Sequence, residues 1–212
     1  MRKLLVITAM VFLLAGCAGS SPTTDPTEAA PGPSTPEVAI DWSNRPSDPI
    51  LLSDDFSVQG CEGEGPFLCV SHEGQPVGAV EYFSFQAPGG DPADALRTLV
   101  ADDYETFTAD RSAGCPEGYE VRTEEPGEAV VGGEDGLRSE YSVVDGDGST
   151  VERYVKFWAV SEGRVHLLSA EAQAEGSCAP GEGVQFTNEL LTGFEPSFSE
   201  IARGSRFPTD GG

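Results

Sequence analysis

Cations are scarce in this 212-residue chain: 12 lysines and arginines stand against 36 aspartates and glutamates, a formal net charge of −24. Lysine is nearly missing, and Lys156 is the sole one after Lys3. Neutralising phosphates takes clustered cations, so nucleic acid is excluded as a partner and anionic headgroups are repelled. Histidine occurs only as His72 and His166, and tryptophan only as Trp42 and Trp158. The chain has no Gly-x-Ser-x-Gly, no His-Glu-x-x-His, no phosphate loop and no dinucleotide fingerprint. The usual signatures of serine hydrolases, zinc proteases and nucleotide enzymes are therefore missing. No Cys-x-x-Cys occurs and neither histidine sits beside a cysteine pair, which argues against zinc. No apolar run reaches the about 20 residues a transmembrane helix needs.

What is present begins at the amino terminus. Arg2 and Lys3 lead into an apolar run from Leu4 to Ala15, which closes on Leu14-Ala15-Gly16-Cys17. The pattern resembles the signal peptide (residues 1–16) and lipobox of bacterial lipoproteins. An ordinary secretory signal would want a small-x-small site, which Ala15-Gly16-Cys17-Ala18 offers only loosely. The resemblance implies cleavage before Cys17, a diacylglycerol thioether on its sulfur, and a location at the extracytoplasmic face of the cell membrane. Two or three acyl chains, each contributing about 0.8 kcal/mol per buried CH₂, would make the anchor persistent. Loss of Arg2 and Lys3 with the leader would leave 10 cations against 36 acids, a charge of −26. The acids are spread along the chain, so their plain meaning is solubility.

From residue 18 to residue 37, Ser, Thr, Pro, Asp and Glu dominate without apolar periodicity. Such a stretch cannot bury enough surface to offset ordering and is read as a disordered tether with a reach of about 25 Å. One globular domain is expected over residues 38–208, followed by a short disordered tail, 209–212. In its lead-in, Trp42, Ile50, Leu51 and Leu52 are expected to pack onto the domain edge.

Four cysteines remain once Cys17 is set aside: Cys61, Cys69, Cys115 and Cys178. An even set in an exported domain reads as disulfides, and four cysteines allow three pairings. Cys61 and Cys69 flank a turn-rich stretch between strand-like runs, where a local bridge is easy. The rest would pair Cys115 with Cys178, worth about 2–4 kcal/mol.

Alternation predicts strands at Asp55–Gly60, Phe67–His72 and Pro76–Ala87, the third with apolar residues on both faces, as in a strand covered on both sides. Asp91 as N-cap and Pro92 behind it open a helix that ends near Asp110, with a stripe of Leu96, Leu99, Val100, Tyr104 and Phe107. Strands are then predicted at Tyr119–Glu124, Glu128–Val131, Gly136–Val144, Thr150–Ser161 and Val165–Ala172. A hairpin is marked by Asp145-Gly146-Asp147-Gly148. That run departs from a calcium loop, since Thr150 stands where glycine is needed and Lys156 where a glutamate is needed. A helical piece at Phe186–Leu191 and a short terminal helix through Phe194, Phe198 and Ile201, with Pro196 in its first turn and Gly204 as its stop, complete the series. The layout is α+β, an antiparallel sheet covered by helices.

This order resembles the PsbP-like fold and, more narrowly, the LpqN-like lipoproteins of actinomycetes. The likeness rests on Val77-Gly78-Ala79-Val80, the Asp91-capped helix, Gly136-Leu137-Arg138-Ser139-Glu140-Tyr141 and Phe198-Ser199-Glu200-Ile201-Ala202-Arg203-Gly204-Ser205. The cysteine pairs and Pro180-Gly181-Glu182-Gly183 depart from it. It implies an α/β/α sandwich acting as a non-catalytic accessory or binding module, with no cofactor and no catalytic residue. His72 is expected in a solvated turn and His166 packed in a strand. The expected partner is an envelope protein or a small ligand, held where sheet and helices meet. Two competing readings are a cell-wall hydrolase using paired carboxylates and a structural envelope component. The hydrolase would show a cleft with two acids, one of raised pKa; Asp54-Asp55, Asp102-Asp103 and Glu124-Glu125 are uninformative pairs among so many.

Overall fold

The computed structural model describes residues 38–209 apart from Glu64, Pro66 and residues 179–182. The leader, Cys17, the tether, residues 210–212 and Pro180-Gly181-Glu182 lie outside the described residues. The elements run in the order β1 (Ile40–Asp41), β2 (Ile50–Leu51), β3 (Phe56–Gly60), β4 (Phe67–His72), β5 (Gln75–Gln86), α1 (Pro92–Gly114) and β6 (Glu120–Thr123). They continue with β7 (Gly127–Val131), β8 (Glu134–Val144), β9 (Thr150–Ser161), β10 (Arg164–Gln173), α2 (Asn188–Gly204) and β11 (Ser205–Arg206).

Nine strands form one antiparallel sheet ordered β2-β3-β4-β5-β10-β9-β8, with β6 and β7 both paired along the outer side of β8. Local chemistry sets most of these pairings. Glu73-Gly74, Gly132-Gly133 and Glu162-Gly163 each join two consecutive strands with both residues at positive φ. That is the two-residue turn whose twist matches a hairpin. The Asp145 carboxylate accepts from the N–H groups of Asp147 and Ser149 and closes the β8–β9 hairpin. Only β5–β10 must be paired across a long stretch of chain, with Phe85 opposite Val165 and Glu81 opposite Ser169.

The main core lies between the sheet and α2. Leu191, Phe194, Phe198 and Ile201 are fully buried and pack with Phe56, Leu68, Val80, Phe157 and Leu168. Gly78 leaves room for the Phe186 ring, since a Cβ there would stand 2.3 Å from it. α2 corrects the two-piece expectation. It is one helix capped by the Thr187 hydroxyl, and Pro196 lies inside it rather than in its first turn. The N–H that Pro196 lacks would have served Thr192, and both residues are on the exposed side, where water can serve the freed carbonyl. The buried stripe then outweighs the local break. Arg138, Glu140, Arg153 and Glu195 alternate in an ion-pair network that ties the sheet to this helix.

α1 covers the opposite face. Asp91 caps it by accepting from the N–H groups of Ala93 and Asp94. The helix continues one turn past the expected end, because Arg111 is held by the fully buried Glu152 at 2.7 Å. Beneath it Leu96 and Val100 pack with Trp158, Val165 and Leu167. The disulfides are Cys61–Cys69 and Cys115–Cys178, the second tying the segment just past α1 to the one just past β10. Ile40–Asp41 pairs in parallel with Ser205–Arg206, and Trp42 stacks on Tyr82 at 5.0 Å. Leu51 departs from expectation: it is 82% exposed on the edge strand β2 rather than packed.

Candidate functional site

The two faces of the sheet are covered unequally. On the α1 side, Val165 of β10 is fully buried, while Phe85, directly opposite it on β5, is 39% exposed. In the next pair Leu167 is 8% exposed and Phe83 44%. The boundary of α1 thus falls between β10 and β5. β5 is central in the sheet, yet among the described residues it is covered on one side only at Phe83 and Phe85, where the expectation was cover on both. Its doubly apolar pattern belongs to a strand whose second face is left open.

Register lines up a row of side chains across that face: Phe67 on β4, Glu81 on β5, Ser169 on β10, Lys156 on β9 and Ser139 on β8. The inner end of the row is closed. Lys156 is ion-paired with Asp103 of α1 at 2.6 Å and lies over the Tyr141 ring, and Ser139 accepts from the Trp158 indole. The outer end opens into a cavity of about 630 Å³, within the range of small-ligand sites. Phe67, Ala79, Pro76, Val184 and the Cys61–Cys69 bridge form its apolar walls, and Glu62, Glu81, Ser169, Glu171 and Gln185 supply polar groups.

These polar groups differ in how they are held. The Glu171 Oε1 accepts from the Tyr154 hydroxyl at 2.6 Å and from the Gln173 amide. Arg111 donates to the same Tyr154 oxygen at 2.7 Å, so α1 fixes Glu171 through one intermediary. Burial, reinforced by Glu171 and Glu152, holds the Tyr154 phenol well above its ordinary pKa, so it stays a donor. Among the described residues, Glu171 Oε2 receives no hydrogen bond, and the Glu81 carboxylate has neither a hydrogen bond nor an ion pair. Burial raises the Glu81 pKa above the ordinary 4.5; repulsion from Glu171 adds to this and attraction from Lys156 offsets part of it. Ser169 is 7% exposed and lines the cavity, and its hydroxyl has no hydrogen-bond partner among the described residues.

A second concavity runs between α1 and β8, where sheet and helix meet. One part, of about 540 Å³, is lined by Asp91, Leu96, Arg97, Glu128, Asp135 and Leu137. An adjoining part of about 410 Å³ shares Arg97 and Leu137 and reaches Tyr104, Pro126 and Tyr141. Its charged groups are exposed, and Arg97 is already paired with Asp94. The open-face cavity, with a nearly buried free hydroxyl at its floor, is the better candidate.

The histidines take no part in either cavity. His166 is 2% exposed, bonded through Nδ1 to the Tyr82 hydroxyl at 2.9 Å and stacked on Phe207, as expected of a packed histidine. His72 departs from the solvated-turn reading, because it ends β4 with its ring 4.6 Å from Phe56. Both tryptophans are buried in the core, Trp42 at 5% and Trp158 at 2% exposure. Neither Glu81 nor Glu171 stands out in the sequence. One signal was available: Glu81 interrupts the otherwise apolar set Val77, Ala79, Phe83 and Phe85.

No family model matches the chain, and no curated protein matches it by sequence. Among solved structures, the chain is similar to cyanobacterial PsbP (CyanoP) from Synechocystis sp. PCC 6803. That match has a TM-score of 0.45 and 11% identity, and covers 76% of this chain and 89% of the other. It is also similar to LpqN, described as involved in cell envelope biogenesis of Mycobacterium tuberculosis. Here the TM-score is 0.42 and the identity 14%, over 78% of this chain and 86% of the other. The likeness is one of fold: a large antiparallel sheet with two helices.

Proposed function

We propose that this chain is a lipid-anchored, extracytoplasmic binding module of a bacterial envelope, which holds its ligand in the open-face cavity and performs no chemistry on it. The observation that carries the binding reading is the half-sheet left uncovered, with Ser169, Glu81 and Glu171 turned toward one cavity and short of partners among the described residues. Polar groups that reach a cavity wall without protein partners are free to bond a ligand, which gains from completing them. The anchor reading rests on Leu14-Ala15-Gly16-Cys17. No helix among the described residues is long and apolar enough to cross a membrane.

Two experiments test the two halves. For the anchor, Cys17→Ala is expected to move the protein from the membrane to the soluble fraction; retention equal to wild type sinks the anchor. For the cavity, amide chemical-shift mapping with a fragment set is expected to place responses on β4, β5 and β10. Responses confined to the α1–β8 groove would move the site there.

A second reading follows from one specific observation, the raised pKa of Glu81 beside Glu171, which is the arrangement of an acid and its partner in glycoside hydrolysis. The buried tryptophans favour binding over this reading, since neither offers a platform for a sugar ring. Release of reducing ends from cell-wall glycan, abolished by Glu81→Gln, would establish hydrolysis instead.

A further inference from the structure

The cavity's polar groups have one property in common. Glu81 and Glu171 offer carboxylate oxygens that only accept, and Ser169 can accept through its hydroxyl. Across the whole lining, with Glu62 and Gln185 included, three carboxylates face only two side-chain donor groups, the Ser169 hydroxyl and the Gln185 amide, so an anion meets mostly acceptors and like charge. A group carrying several N–H donors and a positive charge meets its complement. The walls rule further. Phe67, Ala79, Pro76, Val184 and the disulfide are apolar, so the body attached to that cation should be apolar too. A bare divalent ion fits less well, because calcium takes six to eight oxygens and no group of three or more acids, histidines or cysteines among the described residues is placed to hold a metal.

Building on the binding reading above, we infer that the open-face cavity recognises an organic cation, an ammonium or guanidinium group on an apolar body. Glu81 and the free Oε2 of Glu171 hold the charge from two adjacent strands. Ser169, directly opposite Glu81 in the register, accepts a further N–H at the floor. Phe67, opposite Glu81 on the other side, packs against the apolar body. Lys156 stands next in the row and is neutralised by Asp103, so it does not occupy the site itself. Tyr154 and Gln173 keep Glu171 oriented before the ligand arrives, which lowers the ordering cost of binding.

The test titrates detergent-solubilised full-length protein by calorimetry with phenethylammonium chloride, with neutral 2-phenylethanol and with calcium chloride. Phenethylammonium is expected to bind about tenfold or more tightly than the alcohol. Glu81→Gln and Glu171→Gln are each expected to weaken it by a similar factor, as loss of a hydrogen bond to a charged group does. Ser169→Ala is expected to weaken it less. Thermal melts of each variant confirm that it is folded, and Glu81→Gln, which removes an unpaired charge, keeps the test open should Glu171→Gln unfold. Equal binding of amine and alcohol overturns the cation inference and leaves the binding reading standing. Absence of binding by either at millimolar concentration overturns both. Calcium binding lost in both glutamine variants overturns the organic cation in favour of a metal. N-acetyl-lysyl-phenylalaninamide, titrated in parallel, separates the sources: tighter binding than phenethylammonium assigns the cation to a peptide side chain, weaker binding to a free amine.

Discussion

Glu140 and Glu81 are the same residue type, both part-buried on central regions of one sheet, and the two faces treat them in opposite ways. On the α2 side, burial alone would raise the Glu140 carboxyl, but hydrogen bonds and charge from Arg153 and Arg138 outweigh it and hold the group below the usual carboxylate range. On the open side, burial and Glu171 raise Glu81, Lys156 offsets only part of this, and among the described residues no arginine pairs with it. Among the described residues, one face is finished by the chain itself and the other is left with unmet polar groups. That difference separates a packing interface from a site.

The comparison can be broken most forcefully in the core. Phe194→Ala on the covered side should cost about 3–5 kcal/mol in denaturant unfolding; a loss under about 1 kcal/mol would mean α2 is not seated as described. Next comes the staple across the α1 side: replacing Cys115 and Cys178 together by serine should cost about 2–4 kcal/mol. Without it, α1 is held by its packing and by the Arg111–Glu152 and Lys156–Asp103 ion pairs.

The two glutamates come next, with opposite signs. Glu140→Gln should destabilise by about 1.5–3 kcal/mol at neutral pH, since hydrogen bonds to charged groups are lost. Its folded pKa is depressed, so the stability it contributes is present above the unfolded value and is lost as pH falls into the acid range. Glu81→Gln should do the reverse and by less. Its folded pKa is raised above 4.5, so ionisation costs stability as pH rises through that raised value. The variant should therefore gain on wild type at pH 7 and not below about pH 4. A gain independent of pH would show that Glu81 does not titrate as the open face implies. The smallest effect belongs to Phe85→Ser, expected within about 0.5 kcal/mol, as for an exposed position without special packing. A core-sized loss there would mean that something covers this face.

Hairpins were legible because their information is local. Phe67–His72 and Thr150–Ser161 stand in the structure with the bounds alternation assigns, flanked by turn residues that fix their register. The Asp91 cap was equally readable. Pro196 misled, since it breaks a helix locally while a buried stripe on both sides of it holds the helix together. β5 misled in a different manner, because an apolar second face looks the same whether a helix covers it or a ligand does. Glu81 and Glu171 lie 90 positions apart, and no spacing rule connects them.

The amino-acid sequence by itself determined the longer strands, the Asp145–Gly148 hairpin, the Asp91 helix cap and an even set of cysteines for pairing, because each depends on residues that are near neighbours in the chain. Only the tertiary structure decided where α1 stops across the sheet, and therefore which acids stay unpaired. That limit is set by the β5–β10 pairing and by α1 packing on β8 and β9, long-range contacts whose partners are chosen by fit and burial. A row from Phe67 through Glu81 and Ser169 to Lys156 exists only once four strands have come into register.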